Sequence, residues 1–555
     1  MINDIVAGQL GKISVLLELE GKDWESKAFR DAKSTVKRLE RPVSSLYEDR
    51  GHDGLKALDD IGSGIASVIA DYLEHGSMAK LDNLCERYPD DVFDITKIRG
   101  VGPTTTRKLL DNLSVETVED LKQAAENEEV RRISGLGPST EQKIIDGVET
   151  LQSKEEAVLL SEADRITNVI QRVLTGHDSV NEVHVAGEQR RRCETVSELI
   201  VVIATESPRA VHSLVRRHEF IRDALDKDEN SVTYAFAKGD VSITVRTVAP
   251  SQFGSALFSL TGPEDHVEEV HESGGSGDFE DEKDVYEAAS LPFIPPELRD
   301  SGEDTHKVNP EQSVDIVDKD DVRGDLHVHT NWSDGRGSVR DMVDAAEQQG
   351  YEYIALTDHS KSSGFAGGLS SDELARKNEV IETVNDETDL DVLKGSEVDI
   401  LNDGSLDYDD TVLRQLDVVV ASVHSQFDMD EAAMTHRVCQ AVKHPLVDIL
   451  GHMTGRLLLE REGYDIDVGA VLQAAADHET AVEINSTPRR LDVSADTARR
   501  AKHLGVRVVI NTDSHSPRSL PSVRYGVDQA RRAGLQASDI LNTKPIQDWP
   551  ENMSF

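Results

Sequence analysis

Seven short apolar runs recur through the last 235 residues, and each carries a histidine or carboxylate at or near its end. They read GDLHVHT (324–330), YIALTDH (353–359), VLKGSEV (392–398), LDVVVASVH (416–424), VDILGHM (447–453), TAVEINS (480–486) and VRVVINTDSH (506–515). Stretches long enough for a helix lie between them, such as Val339–Gln349 and Asp496–Leu504. Strands alternating with helices predict a parallel, barrel-like sheet. In such barrels the chemistry gathers at the C-terminal ends of the strands. His327, His329, His359, Glu397, His424, His452, Glu483, Asp513 and His515 are therefore expected to converge on one mouth.

Those residue types predict a hydrolytic centre holding several metal ions. His327 and His329 are two apart on a strand, so both face one side and can hold one ion. Asp513 and His515 repeat the spacing on the last run. Imidazole suits zinc, manganese or iron, and a carboxylate can bridge two ions. Two or three such ions polarise a phosphate, acidify water and stabilise a leaving oxygen. A single strand-end histidine is more often a surface or core residue; so many at once, with carboxylates beside them, are not.

The ordered motifs DLHVHTNWSDG, LTDHS, GSEVDI, SVHS, GHMTGR, EIN and TDSH resemble those of the PHP (polymerase and histidinol phosphatase) domain over roughly 322–520. The resemblance implies a distorted (β/α)7 barrel with nine metal ligands. One ion would be held by His327, His329, Glu397 and Asp513, a second by Glu397, His424 and His452, and a third by Asp334, His359 and His515. Asp334 stands where some relatives have histidine, so the third site is expected to be weaker. The ions implied are Mn2+ or Zn2+, with Fe2+ a further candidate. Glu397 and Asp513 are the expected catalytic carboxylates. Arg456 and Arg490 are candidate phosphate clamps, because a guanidinium fork matches phosphate oxygens.

A second signal lies near the amino terminus. LDDIGSGIASVIADYL (58–73), ITKIRGVGPTTTRKLL (95–110) and VRRISGLGPSTEQKII (130–145) each join an apolar residue, a Gly-x-Gly turn and an amphipathic helix. The turns use Gly62 and Gly64, Gly100 and Gly102, and Gly135 and Gly137. Backbone amides at a helix N-terminus favour a phosphate oxygen. This is the helix-hairpin-helix pattern, a sequence-independent grip on a DNA backbone, and three in succession make it specific. Lys97, Arg99, Arg107, Lys108, Arg131 and Arg132 add positive charge beside the second and third turns; the first has only Lys56 near it.

The order of helical region, helix-hairpin-helix repeats, small α+β domain and barrel resembles a family X DNA polymerase fused to a PHP domain. The likeness spans nearly the whole chain and includes VYEAASLPFIPPELRD (285–300). It implies a nucleotidyltransferase-like palm in which three carboxylates hold two magnesium ions. Gly187, Arg190, Arg191, Glu194 and Thr195 keep that pattern, but a serine position has become Glu188. The carboxylate positions have become Glu198, Ile200 and Thr244. Isoleucine cannot bind magnesium, and one carboxylate cannot organise two ions. The expectation is a retained palm without magnesium or polymerase activity, against the alternative of a rewired, active one.

Acidic residues outnumber basic ones 105 to 60, for a net charge of −45 and a pI near 4.7. Phosphates repel such a surface. Acids spread over the entire chain, with arginine favoured over lysine in several segments, resemble the proteins of salt-loving archaea; at molar salt the Debye length is ~3 Å and long-range repulsion fades. From Glu264 to Val322 there are 20 acidic and 4 basic residues around GGSG at 274–277. That composition predicts a solvated linker, interrupted by an apolar docking segment. Cys85, Cys193 and Cys439 are too few and too scattered for a disulfide framework. MINDIVAGQL lacks a signal-peptide pattern and no run spans a membrane, so a soluble cytoplasmic protein is expected.

The expected organisation is a helical domain with the first hairpin (1–80), a helical domain with the other two (81–155), a degenerate palm (156–266), an acidic linker (267–321) and the barrel (322–555). The resemblance implies 3′→5′ exonuclease or 3′-end processing in base excision repair, or cleavage at abasic sites, as the expected function. The expected partner is gapped, nicked or 3′-ended DNA, met by a monomer with no membrane contact. A histidinol-phosphatase-like activity on small molecules and a non-catalytic repair scaffold are the rivals.

Overall fold

The fold is that of a computed structural model, which describes residues 2–549 apart from 40–41, 59, 86, 90, 97, 99–100, 114, 156, 219–220, 228–230, 237–240 and 301–315. The chain divides into two compact units, Met1–Glu155 and Glu156–Phe555.

Among its described residues, the regular structure of the first unit is all helical. Val6, Leu10, Ile13 and Leu17 form a stripe at helical spacing on Ile2–Leu19 and pack on Phe29, Ala32 and Val36 of Asp23–Arg38. A second core of Ile95, Val101, Leu109, Leu121, Ile144 and Val148 joins the helices Pro103–Asn112, Val118–Glu126 and Pro138–Glu155. Thr117 and Asp120 form a reciprocal capping box at the start of Val118–Glu126, satisfying two helix-end donors.

Among the described residues, the second unit contains fourteen strands: β1 (Val158–Leu159), β2 (Glu182–Val185), β3 (Thr195–Val196), β4 (Leu199–Ala204), β5 (Ile221–Lys227), β6 (Ser231–Phe236), β7 (Ser242–Val248), β8 (Gly324–Val328), β9 (Tyr353–Leu356), β10 (Asp391–Asp399), β11 (Val418–Ser422), β12 (Ile449–Leu450), β13 (Ala481–Asn485) and β14 (Val508–Asn511). The last seven are the seven apolar runs. They pair in consecutive order, all parallel, and a bridge between Val328 and Ser514 links the first strand to the last. Helices cover the outer face, so these strands are buried on both sides and read as continuous apolar runs. Near the strand starts, Tyr353, Val418, Ile449 and Ala481 cluster with Leu541 and Trp549 of the C-terminal tail. The opposite, carboxyl ends are left for chemistry.

The palm sheet has the order β2-β4-β7-β6-β5, with β4 and β7 parallel and the other pairs antiparallel. Leu160, Ile166, Val201 and Ile243 form its core together with Leu491 and Tyr525 of the barrel domain. Arg192 crosses the same seam, pairing with Asp164 at 2.9 Å and with Asp528 at 2.6 Å.

The acidic segment departs from the solvated linker its composition predicts. Glu264–Val270 and Glu282–Ala288 are helices, and Val270, Val285, Tyr286, Ile294 and Leu298 form a core with Phe258 of the palm. GGSG is no spacer at its centre: a Cβ on Gly275 would lie 2.8 Å from Val270 and from the carbonyl of Val285, closer than packing permits. The acids are not all solvated either. Glu282 forks onto Arg190 at 2.8 and 2.6 Å and takes a further bond from Arg299 at 2.7 Å. Arg299 lies among the rings of Phe258, Tyr286 and Phe293. Charge counting missed this because buried arginines cancel the acids locally. Residues 301–315 of the expected linker lie outside the described residues.

Candidate metal centre

Six of the seven strands, all but β13, deliver the nine expected ligands to one place, with Glu397 in the middle. His327 stands on β8 and Glu397 on β10, while His329, His359, His424, His452, Asp513 and His515 follow the ends of their strands by one to four residues. Asp334 comes from the loop after β8. Glu397 Oε2 lies 2.9 Å from His359 Nδ1, 3.4 Å from His327 Nε2 and 3.5 Å from His329 Nε2. Its Oε1 lies 2.8 Å from His452 Nε2 and 3.2 Å from His424 Nε2. Asp513 Oδ1 is 3.2 Å from His329 Nε2, and Asp334 Oδ1 is 3.2 Å from His515 Nε2. Two of the ligands, His452 and Asp513, hold positive φ of 23° and 51°, a conformation non-glycine residues adopt at a cost of order 1–3 kcal/mol.

These side chains suit divalent ions. His327 Nε2, both ring nitrogens of His329 and Glu397 Oε2 are buried without a hydrogen-bond partner. Each such atom costs about 1–3 kcal/mol unless something else meets it. Three overlapping donor groups each lie within 4.8 Å: His327, His329 and Asp513; His359, Glu397 and His424; and His329, Asp334, His359 and His515. The overlap differs in detail from the expected sets, since His359 belongs to two groups and His452, against Glu397 Oε1, to none of the three. Burial, with His515 and His359 close by, pushes the His329 imidazole down to about 4, which keeps it the neutral donor a metal needs. Burial opposes charge on His515, but Asp334 and Asp513 prevail and push it up to about 9.

A second ring of carboxylates orients the ligands. Glu483 meets His327 Nδ1 at 2.7 Å and Asp399 meets His424 Nδ1 at 2.5 Å, so each imidazole presents its other nitrogen to Glu397. Such partners fix the ring and raise its basicity. Sequence reading placed Glu483 at the mouth without a role and passed over Asp399. Its signal was the i, i+2 spacing from Glu397, which puts both carboxylates on one face of β10.

The two arginines part company. Arg490 Nε is 3.6 Å from Asp513 Oδ2, at the edge of the ligand cluster. Arg456 is not placed as the expected phosphate clamp. Its guanidinium donates to Glu194 of the palm at 2.7 Å and to the backbone carbonyls of Arg490 and Leu491. It ties the palm to the loop that carries Arg490.

In the palm, the three positions where the family carries magnesium-holding carboxylates come together as Glu198, Ile200 and Thr244. Ile200 is paired with Thr244 across β4 and β7, and Thr244 Oγ1 lies 3.4 Å from Glu198. Ile200 packs with Ala186, Val202, Phe253 and Leu257. Glu188 accepts bonds from the amide and hydroxyl of Ser197 at 2.6 and 2.9 Å. Arg190 is held by Glu282, and Arg191 by Asp300 at 2.7 Å and the carbonyl of Thr261 at 2.6 Å. Gly187 takes a positive φ of 63° as the first residue of the short helix Gly187–Arg190.

In the amino-terminal unit, Gly62 and Gly102 cap the helices Ser63–His75 and Pro103–Asn112, with Gly64 in the first turn of the former. Gly135 has φ +84° and Gly137 precedes Pro138, the first residue of the third helix. Arg107 and Lys108 are exposed, and Lys108 Nζ is the nearest atom to a Cβ built on Gly135. Arg131 is bound to Glu141 at 2.5 Å, which diminishes its charge at the third turn. Lys97, Arg99 and Gly100 lie outside the described residues.

Residues 325–487 match the PHP domain family, residues 92–150 the SAM-like helix-hairpin-helix tandem, and residues 1–78 the helix-hairpin-helix domain. Over 97% of its length, and 97% of the relative's, the chain is 33% identical to a protein of Bacillus subtilis (strain 168) described as DNA polymerase/3'-5' exonuclease PolX. The chain belongs to the PolX family. The chain is also 29% identical to a probable phosphatase of Thermoanaerobacter sp. (strain X514), over 40% of this chain and 89% of that one. It is 31% identical to another from Caldanaerobacter subterraneus, over 34% and 75%. Within this PolX-family chain, the barrel mouth has the donor set of a metal-dependent phosphoesterase. Among the described residues, no helix is long and apolar enough to cross a membrane.

Proposed function

We propose that the barrel hydrolyses phosphoesters at DNA 3′ ends, as a 3′→5′ exonuclease or 3′-end-processing enzyme in base excision repair, with cleavage at abasic sites within its reach. The observation that carries this reading is the nine-ligand cluster around Glu397 on a chain that also bears helix-hairpin-helix turns. Divalent ions held by these donors would supply Lewis-acid polarisation of a phosphate and a water acidified toward neutral pH. The chain's own residues do the rest. Asp399 and Glu483 hold the imidazoles in register, Arg490 offers a guanidinium fork beside Asp513, and the buried mouth limits water. The glycine-capped helices and Lys108 grip the backbone of a gapped, nicked or 3′-ended duplex. The protein acts as a cytoplasmic monomer.

The palm is a scaffold without polymerase activity. Ile200 and Thr244 leave Glu198 alone, and Glu282 and Asp300 occupy the arginine pair that a triphosphate would need. The test is a panel of labelled substrates (recessed, nicked, 3′-phosphate and abasic) with Mn2+ or Zn2+ at high KCl, run beside a primer-extension assay. Trimming of 3′ ends without extension is expected. Extension that survives inactivation of the barrel would overturn the view of the palm. Hydrolysis of small phosphomonoesters without any attack on DNA would favour a phosphatase, the reading that the barrel's likeness to bacterial phosphatases supports.

The acidic surface belongs to a protein of the haloarchaeal type. With a net charge of −45, self-repulsion opposes the compact state at 0.1 M salt, where the Debye length is ~10 Å. The unfolding midpoint should rise as KCl approaches molar levels. DNA binding should fall with salt far less than the ordinary slope of about −0.9 per phosphate contact. Full stability in dilute buffer with a steep loss of binding would point to a mesophilic protein instead.

A further inference from the structure

Next to the ligand cluster lies a pocket of about 530 Å3, walled on one side by Asp513 and His515. That volume falls among small-ligand sites, which span roughly 300–1,000 Å3. Its other lining includes Pro488, Pro521 and Tyr525 and two arginines, Arg518 and Arg524. Both arginines are exposed, and among the described residues no carboxylate pairs with either. The guanidinium of Arg524 lies 4.5 Å from the ring centroid of Tyr525 and donates to its hydroxyl, which fixes a flat cationic plane at the pocket. The charge here runs against the rest of the chain. Residues 487–532 hold ten Lys and Arg against four Asp and no Glu, whereas the whole chain holds 60 basic and 105 acidic residues.

An anionic ligand with a flat apolar part matches this lining. We propose that the pocket is the subsite for one terminal nucleotide of a DNA strand, and that it binds the deoxynucleoside 5′-monophosphate released by cleavage. The phosphate lies toward Asp513 and His515 within reach of Arg518. The base lies on the Arg524 plane and the two prolines, as bases stack on guanidinium planes elsewhere. In the cleavage that precedes release, a water oxygen forms a bond to phosphorus and the bond from phosphorus to the 3′ oxygen of the preceding nucleotide breaks. A proton from that water goes to the leaving 3′ oxygen, and the freed nucleotide keeps the phosphate. The assignment rests on the nuclease reading of the barrel and adds the residues that hold its product.

Direct binding tests it independently of turnover. The full chain, with and without Mn2+, is titrated with dAMP, inorganic phosphate and deoxyadenosine by calorimetry at high KCl. dAMP should bind about tenfold or more tighter than either fragment, because both halves of the pocket contribute. In Arg518→Ala/Arg524→Ala, dAMP affinity should fall about tenfold or more while metal content stays that of the parent, and KM for an oligonucleotide should rise more than kcat falls. Equal affinity for dAMP and phosphate, or unchanged dAMP affinity in the double variant, overturns the subsite even if DNA is cleaved. Failure to cleave DNA with the dAMP differences intact would defeat the nuclease reading and leave a nucleotide pocket standing.

Discussion

Glu397→Ala is expected to lose phosphoester hydrolysis by more than about a hundredfold and to lose bound metal with it. Loss of an orienting partner alone costs roughly 10–100-fold in metal affinity or activity, and Glu397 faces five imidazoles directly. Burial opposes its charge, yet His424, His327 and His359 hold it well below the usual carboxylate range, so it is an anion throughout the working pH. Removing it leaves those imidazoles mutually exposed in a site with no central charge. DNA binding by the amino-terminal unit should persist. Metal analysis of the purified variant beside a nuclease assay decides the matter: full cleavage by a metal-depleted Glu397→Ala protein would sink the barrel-mouth site.

Glu282→Ala should unfold the palm's edge at a cost of about 3–5 kcal/mol, the range for removing one partner of a buried ion pair. Its side chain is 6% exposed and that of Arg299 is 0% exposed, so water cannot replace the lost charge. Among the described residues, Arg299 would be left with the carbonyl of Ile294 and its aromatic neighbours. Denaturant melts of parent and variant at equal salt measure the loss, and a change under about 1 kcal/mol would mean that the pair is solvated. The stabilisation depends on pH with a defined sign. Burial raises the Glu282 carboxyl, but Arg190 and Arg299 outweigh it and the folded value lies below the ordinary 4.5. The contribution is therefore complete above that ordinary value and is lost as pH falls through the lower, folded one.

How much of this was legible before folding follows from the range of each interaction. The barrel was legible because strand and helix periods are local, and because parallel strands buried on both faces read as unbroken apolar runs such as VVVAS and VVIN. Eight of its ligands were legible because each sits at or near a strand end, where chain direction sets which way it faces; Asp334, in the loop after β8, came only from the resemblance to the PHP domain. The partner of Arg456 was not, since Glu194 lies 262 residues away and its choice depends on how the palm docks. The acidic segment misled for a related reason. Composition counts charges along the chain, whereas Glu282, Glu297 and Asp300 meet Arg190, Arg531 and Arg532 only in three dimensions.

The carboxylates lying on Arg190 and Arg191 have a consequence for how this palm could change. A nucleotide's phosphates would have to evict Glu282 and Asp300, which are tethered by the same chain and so present at an effective concentration no free nucleotide attains. On the reading of the palm proposed above, the segment that follows it would act as a tethered competitor for the seat it covers. Restoring aspartates at Glu198, Ile200 and Thr244 would rebuild one half of a polymerase while this intramolecular competitor held the other shut. On that reading, any route to synthesis would run through the connector first.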